Sequence, residues 1–206
     1  MHIIGLCGGS GSGKGTVCRL FSELGIPSID ADAVYHRITS SYTPCLAELE
    51  EAFGGEVVVN GALDRGALRN IVFSSDNKNN SLKLLNSITL KYVVAEMLEE
   101  AKRLELLGHP FVIFDAPLLF ESNADKYCSA VISVVADKNL RIERLVSRDG
   151  LSYEQVERRI ASQLSDEWLI EKSDFVIENN GNFNELKLVV NEIFKKLNDR
   201  FGEQNG

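Results

Sequence analysis

An apolar stretch at the start of the chain runs into Gly8-Gly9-Ser10-Gly11-Ser12-Gly13-Lys14-Gly15-Thr16, a spacing that satisfies G-x-x-x-x-G-K. Glycines let a backbone turn tightly enough to aim successive N–H groups at phosphate oxygens. A helix starting near Gly13 adds its positive N-terminal end, and Lys14 adds a full charge directed toward β- and γ-phosphates. Gly11, Ser12, Gly13, Lys14, Gly15 and Thr16 are therefore the residues expected to bind a nucleoside triphosphate. Where such a loop ordinarily follows its lysine with a magnesium-ligating hydroxyl, this chain has Gly15, and Thr16 comes one position later.

Acidic residues supply the second half of the chemistry. In Asp30-Ala31-Asp32, a spacing of two on an extended segment sends both carboxylates to one side. One could accept a proton from an attacking hydroxyl or position it, while the other caps the next helix or orders water around a metal. Phe111-Val112-Ile113-Phe114-Asp115 is an apolar run ended by an acid, the form of a nucleotide-site strand whose Asp orders Mg2+ through water. Thr16 and Asp115 are thus the candidate magnesium residues. Ala116-Pro117-Leu118 follows in place of the glycine a GTPase needs, and the Asn-Lys pair reads Asn77-Lys78-Asn79-Asn80 rather than N-K-x-D, which argues against a GTP switch.

Arg141, Arg144 and Arg148, three and four apart, share one helical face, and a second helix over Tyr153–Gln163 carries Arg158 and Arg159. Guanidinium groups match phosphate oxygens in pairs and keep their charge when desolvated, so these helices read either as a lid over a transferring phosphate or as a plain solvated face.

The elements that must hold these residues alternate. Strands are expected near Ile3–Cys7, Ile26–Ile29, Phe111–Asp115, Ala130–Ala136 and Phe175–Glu178, separated by helices, which implies an α/β fold with a five-stranded parallel sheet covered on both faces. A long insertion, about residues 33–110, is mostly helical by pattern and sits at the carboxyl edge where such sheets bind ligands. Within it Leu82, Leu85, Ile88, Val93, Met97, Ala101 and Leu104 predict one long helix ending at Gly108-His109-Pro110, preceded by a polar turn over Ser74–Asn80. A final helix runs from about Phe183 to Arg200, and the last five residues, GEQNG, are expected to be disordered.

With 206 residues, 44% hydrophobic and 25% charged, the composition is that of a globular protein able to bury its own core. A net charge of −8 offers nucleic acid or anionic lipid no general attraction, so a phosphate-rich ligand needs a local basic site. Cys7, Cys18, Cys45 and Cys128 are scattered, without a C-x-x-C pair or signal-peptide pattern, and are expected to be reduced, largely buried thiols of a cytoplasmic protein. His2, His36 and His109 are too dispersed for a zinc site, and no apolar run approaches the roughly 20 residues that cross a bilayer.

Taken together, the chain resembles the dephospho-coenzyme A kinases nearly end to end. The resemblance rests on GGSGSGKGT at 8–16, DAD at 30–32, FGGEVVVNGALDRGALRNIVF at 53–73, LNSIT at 85–89, DAPLLFE at 115–121, RLVSRDGLSYEQVERRIASQ at 144–163 and Asn179-Asn180-Gly181. It implies a three-layer P-loop NTPase fold with a helical acceptor-binding insertion and an Arg-rich helical lid at about 141–165. It implies transfer of the ATP γ-phosphoryl group to the ribose 3′-hydroxyl of dephospho-coenzyme A, with Mg2+ as cofactor and these two substrates as partners. Carried over by position, Asp32 is the general base or hydroxyl-orienting carboxylate, Lys14 and Arg144 serve catalysis, and Arg144 and Asn179 bind ATP. Asp32, His36 and Arg65 bind the acceptor. The family usually has His-Pro where this chain has Thr89-Leu90. A nucleoside or nucleoside-monophosphate kinase is the alternative enzyme, and a non-catalytic nucleotide-binding regulator the third reading.

Overall fold

The computed structural model describes residues 1–74 and 78–202. In chain order its elements are β1 (His2–Cys7), α1 (Lys14–Glu23), β2 (Ser28–Asp30), α2 (Ala31–Ile38), α3 (Pro44–Phe53), β3 (Val58–Val59), β4 (Ala62–Leu63), α4 (Arg65–Ser74) and α5 (Lys78–Leu106). There follow β5 (Phe111–Asp115), β6 (Ala130–Val135), α6 (Lys138–Asp149), α7 (Tyr153–Ala161), α8 (Asp166–Lys172), β7 (Phe175–Glu178) and α9 (Phe183–Phe201). The chain divides into two compact units, Met1–Ile29 with Arg103–Gly206, and Asp30–Lys102.

In the first unit a five-stranded parallel sheet has the order β2-β5-β1-β6-β7. β1 lies at its centre, in register with β5 from His2 opposite Phe111 and with β6 from Ile4 opposite Ala130. Strands buried on both faces read as near-continuous apolar runs, and Ala130–Val135, apolar but for Ser133, is buried at every position. One core joins Ile4, Leu6, Ile113, Ile132 and Val134 of the sheet to Val17, Leu20 and Phe21 of α1 and to Leu186, Val190, Ile193 and Leu197 of α9. The four α9 residues recur at helical spacing, which makes the helix a lid on the core rather than a surface appendage. α9 is fixed at its start by a capping box between Asn182 and Glu185. A smaller cluster, Ile142 and Leu145 with Val156, holds α6 to α7 around the left-handed Gly150 that ends α6.

The second unit packs in two clusters, Cys45, Leu49 and Ile88 in one and Val57, Leu68 and Val72 in the other. It also contains an element the helical pattern hid. β3 and β4 form an antiparallel hairpin, Val58 opposite Leu63 and Val59 opposite Ala62, closed by Asn60 (φ 52°) and Gly61 (φ 75°). Two consecutive positive φ angles are the requirement of the two-residue hairpin turn that Asn-Gly supplies. The expected polar turn over Ser74–Asn80 gives way to helix from Lys78, and its residues 75–77 lie outside the described residues, as do residues 203–206 of the expected disordered end. Among the described residues no helix is long and apolar enough to cross a membrane.

Candidate active site

The glycine-rich segment is a loop whose carbonyls are bonded to the surrounding structure. Ser10 O accepts from Arg141 Nε (2.9 Å), Gly11 O from Arg144 Nη1 (3.2 Å) and Ser12 O from Asn179 Nδ2 (2.7 Å). In a trans peptide the N–H points opposite to the C=O, so Gly11 N–H faces away from Arg141 and Gly13 N–H from Asn179. Ser12 N–H closes on Gly9 O (3.1 Å), and Ser10 N–H donates to Gln163 Oε1 (2.9 Å). Further donors come from Lys14 and Gly15 at the start of α1, since Thr16 N–H already closes on Gly13 O (2.9 Å). Gly11 (φ 81°) and Gly13 (φ 96°) are required by this path. A Cβ on Gly11 would lie 2.7 Å from Arg141 O, and one on Gly13 would strike the Asn179 amide.

Lys14 pairs with Asp115 at the end of β5, and the two side chains are only 17% and 13% exposed. That pair puts a cation at the loop beside the carboxylate expected to serve a metal. Among the described residues no three His, Cys, Asp or Glu side chains converge on a common point. Magnesium needs no such cage, since it takes one or two carboxylates and completes its shell with phosphate and water oxygens. The hard oxygens of Asp115 and Thr16 suit that ion. Nothing lies within 4 Å of a Cβ built on Gly15, so packing does not account for the absence of a hydroxyl residue there.

The arginines expected as a lid are more committed than a solvated face would allow. Arg141, 4% exposed, forks onto Asp166 (2.9 and 3.1 Å) and also meets Gln163 (3.2 Å). Arg144 spans Gly11 O and Asn179 O (2.9 Å). Asn179 is itself buried, its N–H on Val135 O (2.8 Å), and its side-chain amide braces the loop. Gln163 and Asp166 were not singled out from sequence. Ser165-Asp166-Glu167 carries the signature of a helix start, and Ser165 does cap α8, but the pairing of Asp166 with an arginine 25 residues earlier leaves no local mark.

In the second unit the geometry corrects one premise. The segment after β2 is not extended, so Asp30 and Asp32 do not point to one side as strand neighbours would. Asp30 N-caps α2, accepting from Asp32 N (2.8 Å) and Ala33 N (3.2 Å), and Asp32 stands in the helix's first turn. Asp32 therefore shares a helical face with His36, four residues on. Arg65 Nη1 reaches His36 Nε2 (2.5 Å), its Nη2 reaches Thr39 Oγ1 (3.4 Å), and its guanidinium lies over the Tyr35 ring at 5.9 Å. Arginine has no acceptor, so this contact calls for the histidine tautomer with its proton on Nδ1. The helix face and Arg65 thus gather Asp32, His36 and Arg65, together with Tyr35, which sequence reading passed over.

Comparison with known proteins agrees. A family described as "Dephospho-CoA kinase" matches residues 2–185. The chain is 36% identical over 200 residues to a rice (Oryza sativa subsp. japonica) protein named "Dephospho-CoA kinase", covering 97% of this chain and 86% of that protein. Its fold is similar to a crystal structure from Thermus thermophilus (TM-score 0.78, 34% identity, 95% of this chain and 97% of that one). It is also similar to "Dephospho-CoA kinase from Campylobacter jejuni" (TM-score 0.70, 26% identity, 96% and 98%). The chain belongs to the dephospho-CoA kinase family, phosphotransferases with an alcohol acceptor that act in the final step of coenzyme A synthesis.

Proposed function

We propose that the first unit binds ATP at residues 11–16 and that the second binds dephospho-coenzyme A through Asp32, His36 and Arg65. The observation that carries this is the bonding of the loop carbonyls by Arg141, Arg144 and Asn179, which leaves the Gly11 and Gly13 amides for a polyphosphate next to the Lys14–Asp115 pair. The acceptor's 3′-oxygen attacks the γ-phosphorus while the bond to the β–γ bridging oxygen breaks, its electron pair leaving with ADP. Asp32 orients the hydroxyl and takes its proton, which passes to solvent. Phosphoryl transfer is mostly placement and charge neutralisation, so Lys14 and the loop amides do the larger share. Magnesium, when bound, neutralises charge on the β- and γ-oxygens, and Asp115 and Thr16 are the residues that would hold it.

Arg65 and His36 offer the acceptor's pyrophosphate a cation and an imidazole in contact with each other. Within the expected lid at 141–165, Arg141 and Arg144 brace the loop, and α7 is the part that excludes competing water. A coupled assay of ATP consumption tests the reading with dephospho-coenzyme A, with AMP or CMP, and with no acceptor. Turnover with the first alone is expected. Turnover only with a monophosphate, or none in any arm, refutes it.

A further inference from the structure

The arginines of α6 and α7 differ in what each would give up by moving. Arg141 is buried, and withdrawing it would strand Asp166 and the Ser10 carbonyl. Arg144 ties two backbone carbonyls, Gly11 O and Asn179 O, and so holds the loop's shape. Arg148 clasps its neighbour Asp149 through Nε (2.6 Å) and Nη2 (3.0 Å), and among the described residues no bond takes it or Arg158 to the loop. Of the three that reach the loop, Arg141 is buried and Arg144 partly so, each holding a backbone carbonyl, whereas Arg159 is exposed and among the described residues bonds only to side chains. Its Nε donates to the Ser10 hydroxyl (3.1 Å), its Nη1 to Asp149 Oδ2 (3.0 Å), and its side chain is 45% exposed.

Both of these partners can be exchanged at little cost. A neutral hydroxyl is a weaker acceptor for a guanidinium than a phosphate oxygen. Asp149 keeps Arg148 when Arg159 leaves, and water reaches it.

We propose that Arg159 is the arginine of this pair of helices that touches the transferring phosphoryl group. It moves from the Ser10 hydroxyl and Asp149 onto the equatorial oxygens, while Arg141 and Arg144 stay in place as positioning residues of the loop. Arg159 only donates hydrogen bonds, so no bond to it forms or breaks, and the electron and proton balance of the transfer is unchanged. The proposal rests on the reading of ATP as donor and dephospho-coenzyme A as acceptor.

The test compares wild type, Arg159→Ala, Arg159→Lys and Arg144→Ala in steady-state kinetics, with ATP affinity measured by calorimetry. Arg159→Ala is expected to lower kcat by about 10²–10³-fold, with ATP affinity within about threefold of wild type, as for loss of a group engaged in the transition state. Arg159→Lys, which keeps the stem and charge and so the fold, should recover only a small part, because an ammonium lacks the planar fork. Arg144→Ala should weaken ATP affinity instead. In wild type, aluminium fluoride with dephospho-coenzyme A should tighten ADP binding, and Arg159→Ala should abolish that gain. A kcat for both Arg159 variants within threefold of wild type, or equal tightening of ADP by aluminium fluoride in Arg159→Ala, would overturn the assignment. Lack of wild-type turnover with dephospho-coenzyme A would refute the functional reading instead.

Discussion

Replacing Arg141 by methionine removes a guanidinium while keeping most of the apolar stem, and its cost follows from what is left behind. Two acceptors lose their donor, the Ser10 carbonyl and the Asp166 carboxylate, while Gln163 Oε1 keeps the Ser10 N–H. Breaking a buried ion pair from one side costs about 3–5 kcal/mol, because the surviving charge stays desolvated. Asp166 is 25% exposed, so water relieves part of its penalty and the lower end, about 3 kcal/mol, applies. For a protein of this size each kcal/mol lowers Tm by about 2–4 °C, so Arg141→Met should melt about 6–12 °C below wild type. Urea unfolding followed by circular dichroism, at constant m-value, measures the same quantity. The double variant Arg141→Met/Asp166→Leu should recover much of the loss, since it removes the stranded carboxylate along with its partner. A single variant less than 1 kcal/mol below wild type would show that Arg141 is a solvated lid residue rather than a brace.

Asp32→Asn keeps the side chain's shape but cannot take a proton, and kcat should fall by on the order of 10²–10⁴ with ATP affinity little altered. Near-normal turnover would remove Asp32 from the chemistry. Gly61→Ala meets no neighbour, yet it must hold a φ of 75°, so unfolding should show a loss of about 1–2 kcal/mol from backbone strain alone. An unchanged midpoint would contradict the hairpin turn. Burial pushes the thiols of Cys7 and Cys128 up to about 12 and that of Cys45 up to about 11. Native protein at pH 8 should therefore react with a disulfide reagent far more slowly at these three sites than unfolded protein does, because only the thiolate attacks. Prompt stoichiometric labelling of Cys7 in the folded protein would refute their burial.

Where local pattern and tertiary packing ask for the same residue, the sequence was legible. The apolar run before the glycines is β1, Phe111–Asp115 is β5 to the residue, and the repeat from Leu82 to Leu104 lies within α5. The turn after β2 was misread because an Asp two residues before another can be a strand neighbour or a cap. Only the path of the chain shows that Asp30 takes the cap and turns Asp32 into the helix. Strands of two residues carry no periodicity, which hid β3 and β4, although Asn60-Gly61 between apolar neighbours is a hairpin signal in its own right. Arg141 and Arg144 were visible as cations on a shared face. That they bond to backbone carbonyls more than 130 residues earlier is a fact of packing that no local window contains.

The glycine-rich loop lies within residues 8–16, yet its shape is set by groups at positions 141, 144, 163 and 179. During synthesis the glycine motif would be complete long before the residues that shape the loop were made. Contacts this distant along the chain delay folding until the whole sheet can close. A fragment ending before Asn179 would therefore keep the glycine signature but lack a group that orders the loop.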